Sequence, residues 1–161
     1  MNDYKSFLDD GIFDINSGKF TDAVDKITKS IELKNDWEIS YFYRAVAFHS
    51  LEKYDDAILD YTKAIMINDK MTDAYYNRAK ISLTRKDIDN IDMAKVVEDL
   101  EKALELDNNF LEAMYAIAAA HKKLGNYKVA VEYLDKLLEK EPCAVQASAL
   151  RKLLLQKYIK E

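Results

Sequence analysis

Apolar and polar residues alternate along this chain with the period of a helix. Tyr41, Ala45, Phe48 and Leu51 recur every three or four residues and so share one face. After Glu52 and Lys53 a second stretch carries Tyr54, Ala57, Ile58, Tyr61, Ala64 and Ile65 on its inner face. The pattern predicts two helices joined by a short turn. Ala45 and Ala57 are small where the two helices must meet, since larger side chains would push the axes beyond roughly 8–10 Å. Gly18 and Gly125 fall in the corresponding turn of other hairpins, where a left-handed residue ends the first helix without a Cβ clash. Pro142 follows the last hairpin and stops its second helix, because proline cannot continue the hydrogen-bond ladder.

The hairpin repeats. Phe20, Tyr54, Met93 and Tyr127 are in register, as are Ala23, Ala57, Val96 and Ala130, with steps of 34, 39 and 34 residues. Ser30, Ala64, Ala103 and Leu137 form a third column, and Asn35, Asp69, Asn108 and Pro142 a fourth. Phe7, Tyr41, Tyr75 and Met114, with Gly11, Ala45, Ala79 and Ala118, step by 34, 34 and 39. The two sets of steps place a five-residue insertion between Ala79 and Met93. A fixed period of this size marks an array whose units bury their apolar faces against their neighbours.

These columns, with the segments EKYDDAILDYTKAIMIN and GNYKVAVEYLDKLLEKEP, resemble the tetratricopeptide repeat family over nearly the whole chain. The resemblance implies an all-α, right-handed superhelical array of four helix-turn-helix hairpins with a C-terminal capping helix. The expected repeats are about 4–37, 38–71, 72–110 with the insertion, and 111–144, in a single domain capped by a helix over about 145–159. Two departures stand out. Phe7, Tyr41, Tyr75 and Met114 occupy the position where the family often has Trp, and Val96 replaces a small inner residue in the third repeat.

In this family the first helices of successive hairpins line a concave face. The resemblance therefore assigns Leu8, Ile12, Phe42, Tyr43, Val46, Tyr76, Asn77, Lys80 and Tyr115 to a peptide-binding groove. Family members that bind chaperone tails hold a terminal carboxylate with Lys, Asn and Arg at five groove positions. Here one window offers Leu8, Ile12, Tyr43, Asp73 and Asn77, and the next Phe42, Val46, Asn77, Glu112 and Ala116. Both lack the cations and place a carboxylate where a cation is needed, so a carboxylate clamp is not expected. What remains is apolar and aromatic. Aromatic anchors on a rigid helical face bury large area at small entropy cost and suit a helix or extended peptide.

Composition narrows the alternatives. About half the 161 residues are apolar, with one Pro and three Gly, which suits a nearly all-helical chain. The net charge is −5, but the residues from His121 onward carry +4, leaving −9 on those before them. Nucleic acid is therefore not an expected partner, and the short Lys-rich runs are interrupted by acids. No apolar run approaches membrane-spanning length, so no membrane insertion is expected. With a single cysteine, Cys143, the chain suits a reducing compartment, and a cytoplasmic location is expected.

No catalytic, cofactor or metal site is expected. Asp87, Asp89, Asp92 and Glu98 have a spacing near that of a calcium loop, but Ile91 replaces a ligand and Asp92 the required glycine. Asp92 is instead expected to cap the helix beginning near Met93. His49 and His121 have no metal-ligand spacing, and no motif pairs a nucleophile with a base. The final helix carries one apolar face of Ala147, Leu150, Leu153, Leu154 and Tyr158, with Leu155 and Ile159 pointing elsewhere. Those two are candidates for self-association. The leading expectation is a non-enzymatic protein-interaction module or scaffold that binds an apolar or aromatic-anchored peptide or helix. The alternative is a structural homo-oligomer assembled through the cap or groove.

Overall fold

The computed structural model describes residues 3–85 and 92–159. Among them are nine helices: α1 Tyr4–Asn16, α2 Phe20–Leu33, α3 Glu38–Ser50, α4 Tyr54–Ile67, α5 Thr72–Thr84, α6 Met93–Leu106, α7 Leu111–Lys123, α8 Tyr127–Lys140 and α9 Val145–Tyr158. No strand occurs among the described residues. The chain divides into two compact units, one up to Ile81 and one from Ser82, with the division inside α5.

In the first unit α1 packs on α2, α2 on α3, and α3 on α4. Its helices meet through columns of small residues. Ala23, Ala45, Ala57, Ala64 and Ala74 are fully buried, and Ile27, Tyr61 and Ile81 fill the space beside them. Gly11 marks a close approach, since a Cβ there would overlap the side chain of Ile27 on α2.

Polar groups fix the register of this unit. Ser30 Oγ donates to the carbonyl of Tyr4 at 2.7 Å and lies 2.9 Å from Ser40 Oγ, both serines being fully buried. Arg44 donates to both carboxylate oxygens of Asp60 at 2.6 and 2.9 Å, and to Thr28 Oγ1 at 3.1 Å. That one guanidinium ties α3 to α2 and α4. Arg78 repeats the backward contact one period later, donating to Thr62 Oγ1 at 2.9 Å. Asp14, buried in α1, is paired with Lys26 of α2 at 2.5 Å.

In the second unit α6 packs on α7, α7 on α8, and α8 on α9. Its core is Met114, Ala118, Ala130, Val131, Leu134, Leu137, Ala147 and Leu154. Val96 is buried in α6. Arg151 of α9 pairs with Asp135 of α8, again sixteen residues back. Tyr127 and Tyr158 stack with ring centroids 4.0 Å apart.

The local signals behave as their chemistry requires. Asp92 caps α6, its carboxylate accepting from the backbone N–H of Ala94 at 3.1 Å and Lys95 at 3.2 Å. The rest of the expected insertion, residues 86–91 with Asp87 and Asp89, lies outside the described residues. Gly18 and Gly125 take φ of +73° and +78°. Glu52 occupies the same turn position one period after Gly18 and is forced to φ +58°, a conformation that penalises a Cβ.

Candidate functional site: the first-helix faces

The groove residues of the first unit come from α1, α3 and α5. Helical spacing brings Phe42, Tyr43, Val46 and His49 along one side of α3, and Tyr76, Asn77 and Lys80 along one side of α5. Helix α5 is held to this unit by Ala74 and Ile81, which join Ala45, Ala57 and Tyr61 in one cluster.

Burial separates these residues. Leu8 is only 2% exposed and belongs to the core with Ala23, Ile27, Ile31 and Tyr41. The assignment of Leu8 to the binding surface is therefore corrected: its side chain packs into the cluster that α1 shares with α2 and α3. Ile12 is half-buried against the same cluster. Phe42 is a wedge between two clusters, its ring 5.4 Å from Tyr43 and 5.7 Å from Tyr61 in edge-on contacts. Tyr43, Val46, Tyr76 and Asn77 are half-buried, each keeping part of its surface open. Lys80 is exposed, with its ammonium 5.6 Å from the centre of the Tyr76 ring. Tyr115 lies on α7 of the second unit, half-buried against the core around Met114.

Electrostatics link α3 to α5. Partial burial, and then the positive charge of Lys80, push His49 below its ordinary value of 6.5. The imidazole also makes an edge-on contact with Tyr54, at 6.0 Å between ring centres. A neutral imidazole, the tyrosine hydroxyls and the Asn77 amide offer hydrogen bonds among apolar surface. The tuned His49 lay on a groove column in the sequence, but its coupling to Lys80 could be seen only once α3 and α5 were packed.

On α9, Leu155 and Ile159 are half-buried and pack against the core of the second unit. Leu155 also lines an open groove of about 710 Å³ between α8 and α9, with Leu138, Asp135 and Arg151. The exposed apolar residues of α9 are instead Val145, Leu153 and Tyr158. Leu153 thus leaves the packing face that the sequence suggested for it, whereas Tyr158 keeps one ring face on Tyr127 of α8. His121 stacks on Tyr133 at 6.0 Å, and its Nδ1 is buried without a protein partner. Among the described residues no group of three or more His, Cys, Asp or Glu could hold a metal ion. No described helix is long and apolar enough to cross a membrane. One exposed pair, Leu59 and Met66 on α4, was missed in the sequence, although the repeat columns carry its signal.

Paired helices of 13 and 14 residues, joined through fixed columns of small residues and offering aromatic first-helix faces, define a helical-repeat protein. A Fis1 C-terminal tetratricopeptide repeat model matches residues 111–161, and a tetratricopeptide repeat model matches residues 40–71. RNA polymerase II-associated protein 3 of Xenopus tropicalis is 32% identical over 124 residues, which are 77% of this chain and 18% of that protein. This chain therefore corresponds to a small part of that relative. The crystal structure of MamA superposes with a TM-score of 0.79 at 26% identity, covering 90% of this chain and 82% of the other. The first TPR of Spaghetti (RPAP3), bound to the HSP90 peptide SRMEEVD, gives a TM-score of 0.69 at 24% identity over 75% of this chain and 92% of the other. The chain belongs to the tetratricopeptide repeat family.

Proposed function

We propose that this chain is a non-enzymatic protein-interaction module, working in the cytoplasm, whose first-helix faces receive an apolar, aromatic-anchored helix or extended peptide. The observation that carries this reading is the half-buried state of Tyr43, Val46 and Tyr76 on adjoining helices of one unit. Their buried parts hold the rings rigid, and their open parts are apolar surface with polar tips. Such residues lose little entropy on binding and make good anchors. Ile12, Asn77 and Lys80 border them, and Phe42 supports them from within.

The relative's HSP90 peptide ends in acidic residues, and the corresponding positions argue against that ligand here. Leu8 is part of the core, Ile12 and Tyr43 carry no charge, and Asp73 is an exposed carboxylate. A free terminal carboxylate would meet repulsion rather than a cation. The expected ligand presents two or three apolar side chains at helical spacing, with uncharged hydrogen-bonding groups beside them.

Panning a random peptide library against the full chain tests this. Apolar sequences with i, i+3 or i+4 spacing should be enriched, and Tyr43→Ala with Tyr76→Ala should lose them while the mass stays unchanged. Enrichment of acidic C-terminal sequences, or binding indifferent to the double substitution, would refute it. The second reading is a homo-oligomer assembled through α9. It rests on exposed Val145 and Leu153 more than on Leu155 and Ile159, which already have core contacts.

A further inference from the structure

The first helices of the second unit differ from those of the first in side-chain size. In the repeat register Ala116 and Ala119 of α7 stand where α3 has Tyr43 and Val46. Methyl groups replace large anchors, so α7 offers room for a side chain where α3 projects one. Tyr115 of α7 and Leu150 of α9 pack against the same core, and each keeps part of its surface open. Leu153, one turn after Leu150, is exposed. A ligand for this face must bring the bulky apolar groups itself.

Charge is the second difference. Helices α1 and α5 have no basic residue in the last turn, and α3 has only His49. Helix α7 carries Lys122 and Lys123 there after His121, and α9 carries Lys157. Lys123 donates to the carbonyl of Leu83 at 2.7 Å, and Arg151 is paired with Asp135. Lys152 lies on the α8 side of α9, in the groove that also holds Glu139. Among the described residues neither Lys122 nor Lys157 makes an ion pair. They follow Ala119 and Leu153 by three and four residues, one turn further along the same faces. Carboxylates sit at the other end. Glu112, the one acid within α7 and α9, precedes Lys122 by about 15 Å of helix, and Asp107 and Glu141 precede the two helices. Near the lysines, the turn over 124–126 is uncharged, and the Asp92 carboxylate is occupied in capping α6.

We propose that the first-helix face of the second unit takes an acidic amphipathic helix of a partner protein, unlike the uncharged ligand of the first unit. The helix sets large apolar side chains over Ala116 and Ala119, beside Tyr115, Leu150 and Leu153. Its carboxylates lie past the end of that stripe and meet Lys122 and Lys157, away from Glu112. The net charge of −5 sharpens the choice, because most of the chain repels an acidic helix and only this end attracts one. This rests on the reading of first helices as receiving faces, but not on the ligand assigned to the first unit.

Three series of synthetic amphipathic peptides, each about four turns long, test it against the full chain by fluorescence anisotropy. They share an apolar stripe of Leu and Phe, carry Glu, Gln or Lys elsewhere, and are amidated to remove the terminal carboxylate. The Glu series should bind at least about tenfold more tightly than the Lys series, although non-specific attraction to a chain of charge −5 favours lysine. Lys122→Glu with Lys157→Glu should invert that ranking, and Lys122→Gln with Lys157→Gln should level it, both with unchanged circular dichroism. Tyr43→Ala with Tyr76→Ala should weaken the Gln series and leave the Glu series as it was, so a failure of the first unit's reading shows separately. A Glu series that does not bind, or binds no better than the Lys series, would overturn the proposal. So would a Glu preference that the lysine substitutions leave intact.

Discussion

Replacing Arg44 with Met is the sharpest test of how the first unit holds its helices together. The guanidinium makes two hydrogen bonds to Asp60, at 2.6 and 2.9 Å, and a third to Thr28 at 3.1 Å. The Asp60 side chain is only 5% exposed. Methionine preserves the apolar stem beside Tyr41 and Phe48, over whose rings the guanidinium lies at 5.8 Å. What it removes is the cation that makes a buried carboxylate tolerable. Breaking one partner of such a pair costs about 3–5 kcal/mol, most of it from the charge left behind. The retained packing places the expected loss near the lower end, about 3 kcal/mol. Arg151→Met is the matched control. Its pair with Asp135 is 40% and 43% exposed, so water takes over and the cost stays within about 1 kcal/mol. Urea unfolding followed by circular dichroism measures both. Adding Asp60→Asn to Arg44→Met should recover much of the loss, since the stranded charge disappears. If Arg44→Met costs no more than Arg151→Met, burial is not what makes this pair matter.

Three further outcomes are expected. Gly11→Ala should destabilise by about 1–3 kcal/mol through overlap with Ile27, outweighing a helix-propensity gain of about 1 kcal/mol; thermal melts would show it. Glu52→Gly should stabilise by about 0.5–1 kcal/mol in the same assay, because the residue already sits at φ +58°. Lys80→Met should raise the titration midpoint of His49, read from its imidazole resonances, since one of its two depressing influences is gone. The sign for stability follows from the depressed value. Unfolded His49 takes up protons near its ordinary 6.5, before the folded form does, so stability is full above that pH and declines as pH falls below it. Lys80→Met should make that acid decline smaller.

The repeat columns made the helices legible because a 34-residue period constrains every position at once. Turn chemistry was equally plain: Gly18 and Gly125 take the left-handed conformation, and Asp92 caps α6. The split between core and binding surface was less so. Leu8 and Tyr43 both read as groove residues, but Leu8 packs among Ala23, Ile27, Ile31 and Tyr41 while Tyr43 keeps part of its surface open. Period alone does not encode that difference. Helix α9 shows a different limit. Its leucines surround it, so rotation about its own axis is set by Ala147 and Leu154 meeting α8, which leaves Leu153 outside.

The buried serine pair has a consequence for how the hairpins can be rearranged. Ser30 stands in a column otherwise held by Ala64, Ala103 and Leu137, and Ser40 in one otherwise held by Ala74, Ala113 and Ala147. Each hydroxyl answers the other, and Ser30 also answers the carbonyl of Tyr4. Shuffling or duplicating either hairpin would set one serine against an alanine and strand its hydroxyl in a dry interior. The first two hairpins therefore carry an address: similar as they are to the rest in outline, they are not interchangeable parts.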